Sequence, residues 1–415
     1  MRDLEGVAEM ILDGLTEAAA VRKAAEEYRA LGRTIFRDRY GYGGVQRYWV
    51  VVDGQLHDAK AIAGVAYGHQ RPDMGPLRHD QFSGGEAGAN RALSRLGFTV
   101  VNSKPATADG ERTWRLSVNQ HLAHAKNTSG YVTADVVRVW GAYGGGQGVW
   151  VDSERTKEID PAGVAVGVLH TGIHYADDLS DDGILYHYPM TNRAGKRDDS
   201  EIDAIKKAAE LRVPLFVISK PTPSSRWREV RLAWVEGWDD RARVFSLTFD
   251  GQAPTKVLSH DDSDNQPFSL FGNNSRRANG SRKQRPGQRL FKLRVIQRYG
   301  SRCPLTGVTV PEMLDAAHLV PDAAGGSSDP RNGLPMNAAL HRAFDSGLFA
   351  IHPETFEVQT QPGLTAANLG IYVATIADLP KKPHSDAMNW RYEWWAAQPK
   401  NAPDGGPRPA GSART

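Results

Sequence analysis

Only one cysteine, Cys303, occurs in 415 residues. No disulfide can close within the chain, and no zinc finger built on two or more thiolates can form. A lone thiol is the usage of a reducing cytoplasm, which is the expected compartment. Runs of about 18 apolar residues are also missing, so no membrane-spanning helix is expected. The start, MRDLEGVAEM, has early acidic residues and no basic-then-apolar order, so it does not read as a secretory signal. A net charge of +3 rules out a polycation as a whole. One absence is local. From Asn265 to Pro311 there is no acidic residue, while Arg276, Arg277, Arg282, Lys283, Arg285, Arg289, Lys292, Arg294, Arg298 and Arg302 all fall there. The plain reading of such a run is a solvated flexible face; the alternative is a phosphate-binding surface.

The length accommodates about two to four domains. Helical periodicity covers 5–32. A strand is expected over Tyr48–Asp53, a short helix over Ala59–Tyr67 and a strand over Phe98–Val101. Ser83-Gly-Gly-Glu86 has capping-box spacing for a helix ending at Gly97. A second block, 106–252, alternates strand-like runs at Gly163–Leu169, Pro214–Ile218, Glu229–Val235 and Val244–Phe249 with a helix candidate at Ser200–Leu211. Short strands with few helices point to α+β architecture around a curved sheet or small barrel. Residues 253–286, rich in Asn, Gly, Ser and base, read as a linker. A helix over Gln288–Tyr299 opens the last block, and the tail from about 397 is expected to lack order.

Residues 303–351 carry the chemistry. Leu314–Val320 is a strand bearing His318, Pro321–Arg331 a Gly-rich loop, and Asn332 opens the return strand. Asn337 is placed to cap a helix, Ala338–Asp345, that bears His341. Strand, loop, strand and helix set these polar groups on one concave surface. Phosphodiester hydrolysis needs a divalent cation against the developing charge and a base for water. His318 suits the base, since imidazole titrates near neutrality. His341 suits a metal ligand, and Asp315 supplies the carboxylate a hard cation prefers. Asn332 is expected to hold the His318 loop or to orient its ring. Asp345 is a second carboxylate nearby, at the helix end or behind the ligands.

The pattern C-x-x-T-G, L-D-A-A-H, N-G-L and L-H-x-x-F-D-x-G-L resembles the HNH endonuclease family, in the branch of McrA-like, modification-dependent restriction enzymes. That resemblance implies His318 as general base, Asn332 as the middle asparagine and His341 as metal ligand. It also implies a divalent cofactor: Mg²⁺ or Mn²⁺, or else Ni²⁺, Co²⁺ or Zn²⁺. The chain departs from relatives in lacking the cysteines of a bracing zinc. It also has Ala317 where a metal-binding Asp or His often precedes the base. Beside such a motif, the basic run reads as DNA-binding through Arg276, Arg277, Arg282, Lys283, Arg285 and Arg289. Six phosphate contacts give a slope of about −5 in log K against log salt.

Upstream, HTGIHYADDLSDDGILYHYP (170–189) sets two tyrosines around an acidic cluster. A base extracted from duplex DNA needs aromatic faces and an acceptor for its amine. The run resembles the SRA domain, which flips and reads methylated cytosine, and implies a pocket of Tyr175, Asp178 and Tyr188. The plainer reading is an acidic loop on a hairpin with ordinary strand tyrosines. Arg193, Lys196 and Arg197 suit either phosphates or the nearby Asp198, Asp199 and Glu201. The first block is similar to the N-terminal head domain of McrA-like enzymes with SRA–HNH order. Asp58-x-Lys60 there matches only part of a second nuclease motif.

The expected fold is α+β and multidomain. It comprises an α/β head (1–105), an SRA/PUA-like curved β-barrel domain (106–252), a basic linker (253–286), a C-terminal ββα-metal nuclease domain (287–396) and a tail (397–415). The expected activity is cleavage of double-stranded DNA carrying modified cytosine, by a homodimer, in defence against foreign DNA. The alternatives are a modification-independent HNH nuclease or nickase, and a non-catalytic DNA-binding protein.

Overall fold

The computed structural model describes residues 11–45, 47–145, 148–170, 179–191, 197–222, 224–249, 251–272 and 287–401. The chain divides into two compact units. One is built from Met1–Ile173, Pro189–Trp234 and Gly251–Ala253, the other from His174–Tyr188, Val235–Asp250 and Pro254–Thr415.

In the first unit, helices α1 (Ala18–Leu31), α2 (Arg33–Tyr40), α3 (Ala59–Gln70) and α4 (Ala89–Arg95) surround a small antiparallel sheet in the order β2-β1-β3. Its strands are β1 (Tyr48–Val52), β2 (Gln55–Asp58) and β3 (Thr99–Asn102). Alanine at positions 59, 61, 63 and 66 lets α3 sit buried against α1. The capping-box expectation fails here. α4 starts at Ala89, and its cap, Gly88, makes no side-chain bond. Gly88 takes this place because a Cβ on it would lie 2.1 Å from the Ser83 carbonyl. The Gly97 stop holds, with φ at 85°.

Helix α5 (Ala108–Ala125) was not foreseen, and with α6 (Ala134–Val139) it continues this unit. Trp114 on α5 packs 6.3 Å from Trp49 of β1, and Trp140 lies 4.8 Å from Trp49. One core thus lies wholly within residues 12–93, and a second joins Trp49, Leu56 and Val101 to residues beyond 105. β4 (Val132–Thr133), β5 (Val149–Val151), β6 (Ala165–His170), β8 (Leu215–Ser219) and the start of β9 (Trp227–Asp239) form a sheet in which only β6 and β8 run parallel. Helix α7 (Arg197–Glu210) packs on it. Arg115 is fully buried in this unit, ion-paired to Glu111 at 2.7 Å and donating to the Ala165 and Pro214 carbonyls. Among the described residues this sheet is open, and no closed barrel is seen.

Two histidines of this unit, buried His57 and half-buried His121, give a pH prediction. Desolvation holds His57 and His121 down at about 4, and His121 Nδ1 accepts from the Leu56 N–H, which needs the unprotonated nitrogen. Between pH 6.5 and 4 the unfolded chain takes up protons that the folded unit refuses, so stability falls with pH across that window. At about 1.4 kcal/mol per pKa unit, each histidine contributes a loss of about 3 kcal/mol. His121→Gln, which keeps an acceptor, should flatten the denaturation-midpoint profile between pH 4 and 6.5; an unchanged profile would reject the assignment.

In the second unit the end of β9 is followed in strand order by β10 (Val244–Thr248) and β7 (Gly183–His187). Helix α8 (Gln288–Tyr299) packs on β7 and β10 and on the hairpin of β11 (Leu314–His318) and β12 (Gly333–Asn337). Helix α9 (Ala338–Asp345), a short pair of β13 (Phe349–Ile351) and β14 (Val358–Thr360), and α10 (Ser385–Ala396) complete a core around Leu319, Leu334, Leu340, Phe344 and Met388. The segment 254–272, expected as linker, packs here instead. Asp261 is ion-paired with Arg298 at 3.2 Å and Lys381 at 2.6 Å, and Phe268 stacks on His384 at 3.7 Å. Burial alone would raise the Asp261 carboxyl. Hydrogen bonds from Lys381 and Ser263 outweigh it and hold the group at about 2. No helix among the described residues is long and apolar enough to cross a membrane.

Candidate active site

β11 and β12 pair antiparallel, with Asp315 opposite Met336 and His318 opposite Gly333. Side chains alternate across a strand, so Asp315 and Ala317 share one face, Ala316 and His318 the other. Packing agrees. Ala317 joins the core with Leu340 and Phe344 of α9, whereas Ala316 joins Phe291 and Val295 of α8. The His318 imidazole stacks on the Phe291 ring, with centroids 3.8 Å apart and planes 10° off parallel. Gly333 makes that approach possible, because a Cβ there would lie 2.5 Å from Phe291 Cζ.

α9 begins where expected. Asn337 Oδ1 accepts from the Ala339 N–H at 2.9 Å. One turn on, His341 turns Nδ1 to Asp315 Oδ2 at 3.1 Å and Nε2 to Asp345 Oδ2 at 3.4 Å. The hydrogen bond with His341 holds the Asp315 carboxyl below its usual range; burial opposes this, and Lys292 and Arg342 assist. The structure thus joins Asp315, His341 and Asp345 but sets His318 on the opposite face at the strand end, against Phe291, which corrects the expectation of one shared concave surface.

Asn332 is fully buried and decides between its two expected roles. Its Nδ2 donates to the carbonyls of Val320 (3.1 Å) and Ser327 (2.8 Å), and its Oδ1 accepts from the Val320 N–H at 2.9 Å. The amide clamps the backbone of the loop that follows His318. Gly326 fits inside this clamp, since a Cβ on it would meet the Val320 carbonyl at 1.9 Å.

Among the described residues no group of three or more His, Cys, Asp or Glu forms a metal-holding cluster. An imidazole beside a carboxylate still suits a hard divalent cation, which keeps waters and takes substrate phosphate oxygens for its other positions. The donor chemistry of Asp315 and His341 therefore fits the implied cofactor.

Other expected residues fare differently. Arg289 is corrected. Its side chain, 6% exposed, pairs with Glu236 at 2.6 Å and bonds the Ser246 hydroxyl, so it faces the protein and not phosphate. Arg298 is likewise inward. Arg276, Arg277, Arg282, Lys283 and Arg285 lie outside the described residues, as do Tyr175, Asp178, Arg193 and Lys196. Tyr188 is corrected as a stacking face. It is 4% exposed, lies 4.4 Å from Phe245, and donates its hydroxyl to Asp240 at 2.8 Å. Arg197 pairs with Glu201 at 3.2 Å. Sequence reasoning missed Phe291 beside the site; its signal was a three-to-four-residue apolar spacing on α8, read only as helix.

Comparison with known proteins agrees with this geometry. Residues 303–352 match the HNH endonuclease family, and the site defines the class: an HNH nuclease acting on DNA. Residues 14–102 match the ScoMcrA-like N-terminal head domain, so the chain pairs a segment similar to that head with one similar to HNH endonucleases. No curated protein matches. Solved structures with similarity to this chain include two restriction endonucleases. One is a modification-dependent TagI restriction endonuclease, 18% identical, covering 66% of this chain and 93% of its own, at a TM-score of 0.27. The other is the type IV phosphorothioation-dependent restriction endonuclease ScoMcrA, 13% identical, covering 78% and 94%, at a TM-score of 0.22.

Proposed function

We propose that this protein is a modification-dependent restriction endonuclease that hydrolyses DNA phosphodiesters at the β11–β12–α9 site. The observation that carries the reading is the Asp315–His341 pair, 3.1 Å apart, within a hairpin and helix that match the HNH family over residues 303–352. His318 takes the proton of the attacking water, and Phe291 fixes the plane of its ring. Asp315 and His341 hold the divalent cation, with Asp345 steadying His341 from the next turn. The bound cation supplies charge stabilisation to the phosphate and the leaving oxygen. Asn332 keeps the loop after His318 in place.

Three modules divide the work in this reading: the head (1–105), a middle region (106–252) that selects modified cytosine, and the nuclease domain (287–396). Tyr175 and Asp178 remain the proposed base contacts, without Tyr188. Arg276, Arg277, Arg282, Lys283 and Arg285 are the proposed phosphate contacts. A double-strand cut with one nuclease site per chain calls for a homodimer. The cytoplasm is the proposed compartment.

Digestion of one plasmid prepared with and without 5-methylcytosine, and separately with phosphorothioate linkages, tests the selection. Preferential cutting of a modified copy is expected. Equal cutting of every copy would leave a nuclease and reject modification dependence, while no cutting in any divalent ion would favour the non-catalytic alternative.

A further inference from the structure

The first unit holds a cavity of about 490 Å³ to which nuclease chemistry gives no task. Loop 42–45, the end of β2 and the first turn of α3 build it, and Tyr42, Arg47, Tyr48, Asp58, Lys60 and His79 are among its lining residues. Its volume is that of small-molecule sites, which run from about 300 to 1,000 Å³.

Three features of the lining each call for a complementary group. The Asp58 side chain is 3% exposed. Its Oδ2 accepts from the Tyr28 hydroxyl and from Arg33 Nε at 3.0 Å, while Oδ1 is buried with no donor. Asp58 also stands at the cap of α3 without making a cap bond. A buried acceptor left without a donor is costly, by about 1–3 kcal/mol. Arg33 neutralises the carboxylate, so this floor does not repel an anion.

Lys60 makes no hydrogen bond or ion pair among the described residues, and its ammonium lies 5.3 Å from the Phe82 ring. Burial lowers its pKa from the ordinary lysine range, and the attraction of the Asp80 carboxylate only partly opposes this. Arg47 and His79 add positive charge or donors around it. Tyr42 and Tyr48 supply flat apolar walls.

We propose that this cavity binds one nucleotide whose base carries an exocyclic amine. The amine donates to Asp58 Oδ1, the phosphate is held by Lys60 and Arg47, and the base lies between the tyrosine walls. A nucleotide combines a donor for Asp58 Oδ1, a planar ring for the tyrosine walls and an anion for Lys60. The nucleotide is either free or part of a DNA strand. The inference is independent of His318 and its neighbours.

The test uses the full chain, with hydrogen exchange of residues 42–61 followed by mass spectrometry. The probes are dCMP, dUMP and a single-stranded decamer of deoxycytidine. Saturable protection by dCMP is the mark of a free nucleotide, and protection by the decamer alone that of a strand. Either outcome supports the site. Lys60→Ala places a good helix former in the first turn of α3 and is expected to keep the thermal midpoint while weakening the protecting probe about tenfold, the worth of a charge-assisted bond. dUMP, which lacks the amine, is expected to bind about tenfold more weakly than dCMP on the same grounds. Asp58→Asn serves as a second variant, read by the loss of preference for dCMP over dUMP. Absence of protection by dCMP and decamer alike would overturn the proposal, as would unchanged affinity in Lys60→Ala or equal affinity for dCMP and dUMP.

Discussion

His318→Ala should lower kcat for DNA cleavage about 100- to 10,000-fold, the range a positioned general base supplies, with DNA affinity unchanged in a gel-shift assay. The ring stands at the end of β11, on the face turned from Asp315, so its loss leaves the proposed cation donors intact. Cation dependence of residual cleavage should therefore match the native protein. Phe291→Leu tests the support. It keeps apolar bulk against Val295 and Ala316 but removes the flat face that lies 3.8 Å from the imidazole. A smaller loss of kcat, with KM unmoved and a displaced acid limb of the pH–rate profile, is expected. Cleavage by His318→Ala at the native rate would remove this residue from the mechanism.

Asn332→Asp should be the most damaging conservative change in the nuclease unit. The buried amide makes three hydrogen bonds, two as donor to the carbonyls of Val320 and Ser327. A carboxylate keeps the acceptor but sets negative charge against two carbonyl oxygens, with no water to relieve it. Asn332→Ala instead leaves three buried backbone groups without partners. At about 1–3 kcal/mol for each unsatisfied group, a loss of several kcal/mol is expected. Chemical denaturation should show a lower midpoint for both variants, with cleavage lost alongside. A native midpoint in Asn332→Asp would mean that the clamp has been misread.

The nuclease hairpin was legible because its constraints are local. Asn337 caps α9 from the neighbouring position, and Gln288–Tyr299 forms the helix its apolar spacing foretold. The pairing of Asp315 with His341 spans 26 residues, yet the motif's own spacing carried it. What failed was set by distant partners. Arg289 looked like a phosphate ligand because Glu236, which takes its charge, lies 53 residues earlier in sequence. Tyr188 looked like a platform because nothing near it in sequence announces Phe245 or Asp240. α5 escaped notice because its apolar stripe, Trp114, Val118 and Leu122, is interrupted by buried Glu111 and Arg115, whose partners at Ala165 and Pro214 lie far along the chain. The capping-box spacing at Ser83 was genuine, but the crowded turn at Gly88 moved the helix start beyond its reach.

The inward cations of α8 bear on how ionic strength acts on this enzyme. Arg289 and Arg298 spend their charge inside the fold, where mobile ions screen poorly, while Lys292 and Arg294 on the same helix stay half-exposed. Added salt should therefore loosen the grip on DNA well before it loosens the scaffold. A titration that weakens substrate capture while the melting curve stands still would expose two populations of cations within one short run of sequence, which its uniform positive sign conceals.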